Sequence, residues 1–214
     1  MTSDRSLAGL VVAGGFSTRF GDRDKALARI GDEPLVRRVV GRLARVTAPV
    51  VVNCRPAQVD PFRDALAGHA DVRFSVDRVP DRGPVAGVHA GLAAIDREYA
   101  AVVPCDMPFV DPDLLEVLAE RARGHDGALV RLTDGYRQPF QAVYRTDAMR
   151  AACEQVLESD DERVFDAVDR LETVTVSEQD LDCVGPATFE SVETRTELED
   201  VRRRLEQDGD RSEG

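Results

Sequence analysis

The chain has 214 residues, 43% of them hydrophobic and 32% charged, with a formal net charge of -12. This composition excludes collagen-like, mucin-like and disordered classes. No apolar run approaches the roughly 18 to 20 residues that cross a bilayer, and the acidic balance argues against a nucleic-acid-binding face, whose footprint is basic. At about 150 residues per domain, one unit is expected over residues 1–207, with a polar tail over 208–214.

Charge type is as informative as charge balance. Of the 28 basic residues, Lys25 is the only lysine and all others are arginine. A lysine-poor, carboxylate-rich surface fits adaptation to high salt, a basic partner, or base-composition bias. Cys54, Cys105, Cys153 and Cys183 stand singly, a reducing-compartment pattern, and three dispersed histidines suggest no zinc site. The apolar run over residues 7–13 is a poor signal-peptide core, because Asp4 offsets Arg5 ahead of it and Gly14-Gly15 follow at once. A cytoplasmic protein is expected, with no membrane or nucleic-acid partner.

In chain order, residues 7–13 read as a strand buried on both faces and ending at two glycines. Leu35, Val36, Val39, Val40, Leu43 and Val46 repeat at helical spacing behind Pro34. Residues 49–54 form a second buried strand and 72–76 a third. Residues 84–95 form a helix, with Gly83 before it and Pro84 at its start. A fourth strand covers 99–104, and Asp111 caps a helix through Ala122. Strands at 128–132 and 140–144, then helices near 146–157 and 162–171, complete the middle. Thr194 and Glu197 make a capping box for a last helix carrying Leu198, Val201 and Leu205. Alternation of strands and helices predicts an α/β fold with a mostly parallel sheet.

In such sheets ligands bind beyond the carboxyl ends of the strands. Four exits carry candidates: the glycine loop from Ala13 to Gly21, Asn53, Asp77, and Cys105-Asp106. The glycine loop suits an anion, with backbone amides at Gly14 and Gly15 and positive charge from Arg19 and Lys25, or is simply a tight turn before a crossover. It is neither a Walker A loop nor the Gly-x-Gly-x-x-Gly of a dinucleotide fold. The solitary lysine suggests a need for a compact ammonium rather than a planar fork. Asp106 could ligate Mg²⁺ together with substrate phosphates, or cap the turn into the next helix. Asn53 could read a base edge or satisfy loop backbone, and Asp77 could accept from a base or ribose or be a surface aspartate. His69, His89 and His125 lie outside these loops, so Ser or Cys nucleophilic hydrolysis is disfavoured. A substrate phosphate acting as nucleophile would need no strong protein base, and catalysis would be positioning and charge neutralisation.

Val12-Ala13-Gly14-Gly15-x-Ser17-x-Arg19-x-Gly21, followed by Asp24-Lys25-Ala26-Leu27, resembles the signature loop of the molybdenum cofactor guanylyltransferases. Four further segments agree in order: Gly31-x-x-Pro34-Leu35; Val51-Val52-Asn53; Asp77 leading to Gly83-Pro84-Val85-Ala86-Gly87; and Pro104-Cys105-Asp106-Met107-Pro108-Phe109. The resemblance runs to about Leu205. It implies a Rossmann-like, three-layer nucleotidyltransferase fold that transfers GMP from GTP to the phosphate of molybdopterin with Mg²⁺, releasing pyrophosphate. It also implies nucleotide contacts from the backbone at Val12, Ala13 and Gly14, phosphate contact from Lys25, guanosine contacts from Asn53 and Asp77, and nucleotide and metal binding by Asp106. The Ala-Gly-Gly form is nearer the guanylyl than the cytidylyl branch. One departure concerns the acceptor: where the family shows Phe-x-Asn-Val-Asn-Thr, this chain has Phe189-Glu190-Ser191-Val192-Glu193-Thr194. The alternatives are transfer to another phosphorylated acceptor, such as a cobamide precursor, phospholactate or sugar phosphate, and a non-catalytic nucleotide-binding homologue.

Overall fold

The structure is a computed structural model, which describes residues 7–15, 20, 24–77, 83–159, 163–182 and 184–212. Its strands are β1 (Leu7–Val12), β2 (Arg29–Ile30), β3 (Glu33–Pro34), β4 (Val50–Cys54), β5 (Val72–Val76), β6 (Tyr99–Pro104), β7 (Gly127–Arg131), β8 (Arg137–Arg145) and β9 (Thr173–Ser177). Its α-helices are α1 (Leu35–Leu43), α2 (Val59–Ala65), α3 (Gly83–Leu92), α4 (Pro112–Ala122), α5 (Thr146–Glu158), α6 (Val164–Val168) and α7 (Arg195–Ser212). Seven strands form one sheet in the order β5-β4-β1-β6-β8-β7-β9, while β2 and β3 pair as a small hairpin. All but β8 run in one direction, since β8 is antiparallel to both β6 and β7.

The apolar run that predicts β1 works because successive side chains alternate between two covered faces. Leu7 and Val11 pack with Val39, Leu43 and Leu114 from α1 and α4. Ala8 and Leu10 pack on the opposite face with Val88, Leu92 and Met149 from α3 and α5. Three layers result, as predicted. Leu10 has no exposed surface, and truncation of such a side chain to Ala costs about 2–5 kcal/mol.

Several elements depart from expectation. The helix expected over 162–171 is the short α6, because the chain turns after Val168, where Asp169 N donates to Phe165 O. The hairpin, α2 and β9 were not anticipated. Pro61 breaks the sequence signal of α2 yet falls in its first turn, where a proline is tolerated. Beyond residue 207, the expected start of the tail, α7 continues to Ser212.

The capping box holds: Glu197 N donates to Thr194 Oγ1 at 3.2 Å, and Thr194 N to Glu197 Oε2 at 2.9 Å. From this anchored start, Leu198 and Val201 of α7 bury against Phe20, Ile30 and Leu35, clamping the hairpin. The clamp brings the far end of the chain to the carboxyl edge of the sheet.

Candidate nucleotidyl-transfer site

Register aligns the strand exits. Val12 pairs with both Asn53 and Pro104, and Asn53 pairs with Ser75. Three further bonds extend this order past the strands: Ala13 N to Asn53 O at 2.9 Å, Cys105 N to Val12 O at 3.0 Å, and Asp77 N to Cys54 O at 3.0 Å. Gly14, Asn53, Asp77 and Asp106 therefore lie along a single edge, as the strand-end rule requires.

Asn53 and Asp77 form one unit. Asn53 Nδ2 donates to Asp77 Oδ1 at 2.7 Å, while Asn53 Oδ1 is buried with no partner among the described residues. A buried acceptor held in this way calls for a donor from outside the chain. Both side chains crowd backbone. A Cβ on Gly14 would stand 2.4 Å from Asp77 Oδ2, and one on Gly87 would stand 2.6 Å from Asn53 Oδ1, so only glycine fits at either position. Burial pushes the Asp77 carboxyl above its ordinary range, against the opposing effects of the Asn53 bond and Arg55.

Lys25 and Asp106 form the second unit, their Nζ and Oδ2 being 2.6 Å apart. Their side chains are 14% and 21% exposed, so the pair is shielded but reachable. Asp106 does not cap its turn; its carboxylate is spent on Lys25, with Oδ1 accepting no bond among the described residues. A single carboxylate with a free oxygen suits Mg²⁺, which takes one or two protein carboxylates and completes its shell with phosphate oxygens and water. Among the described residues no group of three or more His, Cys, Asp or Glu converges as a self-sufficient metal cage.

Lys25 owes its position to residues that sequence reasoning missed. Asp24 caps the 3-10 turn Lys25–Leu27 by accepting from Ala26 N at 3.0 Å. Buried Gln58 then donates to Asp24 Oδ2 at 2.5 Å and to Ala13 O at 3.1 Å, tying the lysine turn to the glycine loop. Gln141 ties the residue that follows Asp106 to the segment ahead of α7. It is fully buried in β8 at φ 54°, and its Nε2 donates to Thr188 O at 2.6 Å beside the Met107 sulfur. Thr188 Oγ1 accepts from Asp111 N at 2.8 Å, and Val192 N donates to Asp106 O at 2.8 Å. The left-handed backbone at Gln141 coincides with a register shift between β7 and β8, and strain of this kind persists only where surrounding structure enforces it. Its sequence signal is absent, since the position gives no turn residue.

Arg19 lies outside the described residues, as do Ser17 and Gly21. Val12, Ala13, Gly14 and Gly15 stand where expected at the end of β1. His89 lies outside the strand-end loops, as expected, and from α3 it lines a cavity of about 650 Å³ that Asp77 also borders. Among the described cysteines, burial pushes the Cys54 thiol up to about 11 and that of Cys153 to about 12, and raises Cys105 further, while Cys183 lies outside the described residues.

The model of the MobA-like NTP transferase domain matches residues 9–174. The chain belongs to this family. Two relatives bear the name "Probable molybdenum cofactor guanylyltransferase". The one from Natronomonas pharaonis is 44% identical over 92% of this chain and 97% of its own length. The one from Haloferax mediterranei is 34% identical over 91% and 92%. Among solved structures, molybdopterin-guanine dinucleotide biosynthesis protein A from Archaeoglobus fulgidus superposes with a TM-score of 0.75 at 22% identity, covering 94% of this chain and 99% of its own. A 4-diphosphocytidyl-2C-methyl-D-erythritol synthase from Anaerococcus prevotii reaches 0.72 at 14% identity, covering 94% and 96%. The structural likeness establishes the nucleotidyltransferase fold, and the relatives place this NTP transferase beside enzymes named for molybdenum cofactor maturation. Among the described residues, no helix is long and apolar enough to cross a membrane.

Proposed function

We propose that the protein transfers GMP from GTP to the phosphate of molybdopterin and releases pyrophosphate, in the presence of Mg²⁺. The observation that carries this reading is the Lys25–Asp106 pair standing on the same edge as the Asn53–Asp77 pair. One unit offers charge to phosphates and the other offers acceptors to a nucleoside. The relatives' name, molybdenum cofactor guanylyltransferase, supports a guanylyl donor and an acceptor from that cofactor's maturation.

The acceptor's phosphate oxygen bonds to the α-phosphorus of GTP as the bond from that phosphorus to the bridging oxygen breaks, and pyrophosphate carries away the electron pair. Lys25 neutralises charge on the transferring and leaving phosphates, work that a compact ammonium performs at close range. Asp77 Oδ2 and Asn53 Oδ1 accept from the nucleoside, and the small Gly14 and Gly87 leave room for those two side chains. Asp106 would hold Mg²⁺ through its free oxygen, and the ion would supply Lewis-acid polarisation of phosphate oxygens. No side chain need act as base, because a phosphate monoester is already ionised at neutral pH.

Pyrophosphate release measured with GTP, CTP and ATP against molybdopterin, with and without Mg²⁺, tests the reading. GTP-dependent, metal-dependent release is expected. Release driven by CTP in preference to GTP, or none with any nucleotide, would overturn it.

A further inference from the structure

A cavity of about 620 Å³ opens beside the Lys25 turn and is walled on its far side by α7. Its apolar floor is Phe20 and Leu198, both buried, and three arginines, Arg29, Arg195 and Arg202, stand around it.

Two of these guanidinium groups are aimed by backbone. Arg195 Nε donates to Phe20 O at 2.7 Å, and Arg202 Nε donates to Arg29 O at 2.8 Å. Each bond fixes the plane of its guanidinium at one nitrogen. No carboxylate among the described residues pairs with either group, so both terminal nitrogen pairs remain open. In a chain of net charge -12, two arginines aimed by backbone and ion-paired with neither acid of the lining, Asp24 or Glu199, favour an anion from outside. Arg29 is partly committed, its Nη1 donating to Asp32 O at 2.6 Å. Of the two acids lining the cavity, Asp24 is engaged by Gln58, Arg55 and Ala26 N, and Glu199 is exposed.

The cavity borders the Lys25 turn, since Asp24, Leu27 and Ala28 line it. Lys25 and Asp24 are neighbours, and Val192 N reaches Asp106 O just before α7 begins. Glu197 in the first turn of α7 is held below the ordinary carboxylate range by the amides of Glu193 and Thr194, with a lesser contribution from Lys25. The nucleoside unit of Asn53 and Asp77 stands at the ends of β4 and β5, and neither residue lines this cavity.

We propose that this cavity seats the acceptor substrate: a phosphate monoester whose dianion is gripped by the forks of Arg195 and Arg202, and whose organic body rests on Phe20 and Leu198. Planar guanidinium forks match phosphate oxygens in a way an ammonium does not. A phosphate held there lies against the turn that carries Lys25, whose Leu27 lines the cavity. This assignment rests on the reading of the chain as a guanylyltransferase and adds the place and chemistry of its second substrate.

Arg195→Ala, Arg202→Ala and the matching lysine variants test it by two routes. In pyrophosphate release, each alanine variant should raise the KM for molybdopterin about tenfold or more, with the KM for GTP within about twofold of the parent. The lysine variants should recover part of that loss if α7 stays docked. In calorimetric titration with phenyl phosphate, which needs no turnover, the parent should bind and the alanine variants should not. An unchanged KM for molybdopterin, a rise in the KM for GTP instead, or equal phenyl phosphate binding by parent and variants would each overturn the proposal. A parent that fails to release pyrophosphate while binding phenyl phosphate through these arginines would sink the guanylyltransferase reading and leave the anion site standing.

Discussion

Lys25 Nζ and Asp106 Oδ2 meet at 2.6 Å across 81 positions of sequence. Each stands beside a second tether, Lys25 next to Asp24 and Asp106 next to the Gln141–Thr188 bond. Lys25→Ala and Asp106→Asn should each lower kcat about 10²- to 10³-fold, the range for losing one preorganised charge at a developing anion. Circular dichroism of both variants should match the parent, because neither side chain is a core residue. Lys25→Arg should rescue little, since the planar fork is larger than the ammonium it replaces. Normal turnover in either Lys25→Ala or Asp106→Asn would contradict the roles given to them.

Asp77 links acidity to nucleotide binding. Its carboxyl is pushed above its ordinary value chiefly by burial, so on acidification it is neutralised before a free aspartate would be, which titrates near about 3.9. A raised folded-state value means that its contribution to stability is present in acid and lost as pH rises through that value. Asp77→Asn should therefore leave the thermal midpoint at pH 7 unchanged or higher, with the difference shrinking in acid. The same variant should raise the KM for GTP about tenfold, and the parent's KM should climb on acidification where that of the variant stays flat. Parallel pH profiles for the two proteins would refute the assignment.

Gln141 is strained yet retained. Gln141→Leu keeps the left-handed backbone and deprives Thr188 O of its donor, which should cost about 2 kcal/mol. Gln141→Gly removes the tether but relieves the backbone, so it should be destabilised by about 1 kcal/mol less than the leucine variant. Both should lose kcat beyond their loss of stability, through a misplaced Asp106. Urea midpoints and single-turnover rates measure the two effects separately, and full activity in a folded Gln141→Leu protein would show that the tether is only structural.

Net charge predicts a salt response. A chain at -12 repels itself when compact, and the screening length shrinks from about 10 Å at 0.1 M salt to about 3 Å at 1 M. The thermal midpoint should rise by a few degrees, about 2–4 °C per kcal/mol for a chain of this size, between dilute and molar KCl. A midpoint that is flat or falls across that interval would show that the acidic surface carries no folding penalty.

Much of the parallel half of the sheet was legible because its strands are apolar on both faces and end in residues unlike their interiors: glycines after Val12, an asparagine in β4, aspartates after β5 and β6. Asn53, Asp77 and Asp106 could be selected from those endings, and Lys25 from being the only lysine of the chain. Residues that act through long-range geometry left no such trace. Gln58 looks like a loop polar residue until its amide reaches Ala13 O, and Gln141 looks like an ordinary strand position until its φ of 54° is seen. β9 was overlooked although Thr-Val-Thr-Val is a strand pattern. The three lining arginines of the α7 cavity were hidden among many others, and only their backbone anchors distinguish them.

The bond from Val192 N to Asp106 O also sets an order on biosynthesis. A ribosome delivers β1, β4, β5 and β6 long before the segment that braces Asp106 has emerged, so that brace is among the last contacts the growing chain can make. A chain cut short before Val192 would keep β1, β4, β5 and β6 but lose the one amide that reaches back to Asp106 O among the described residues.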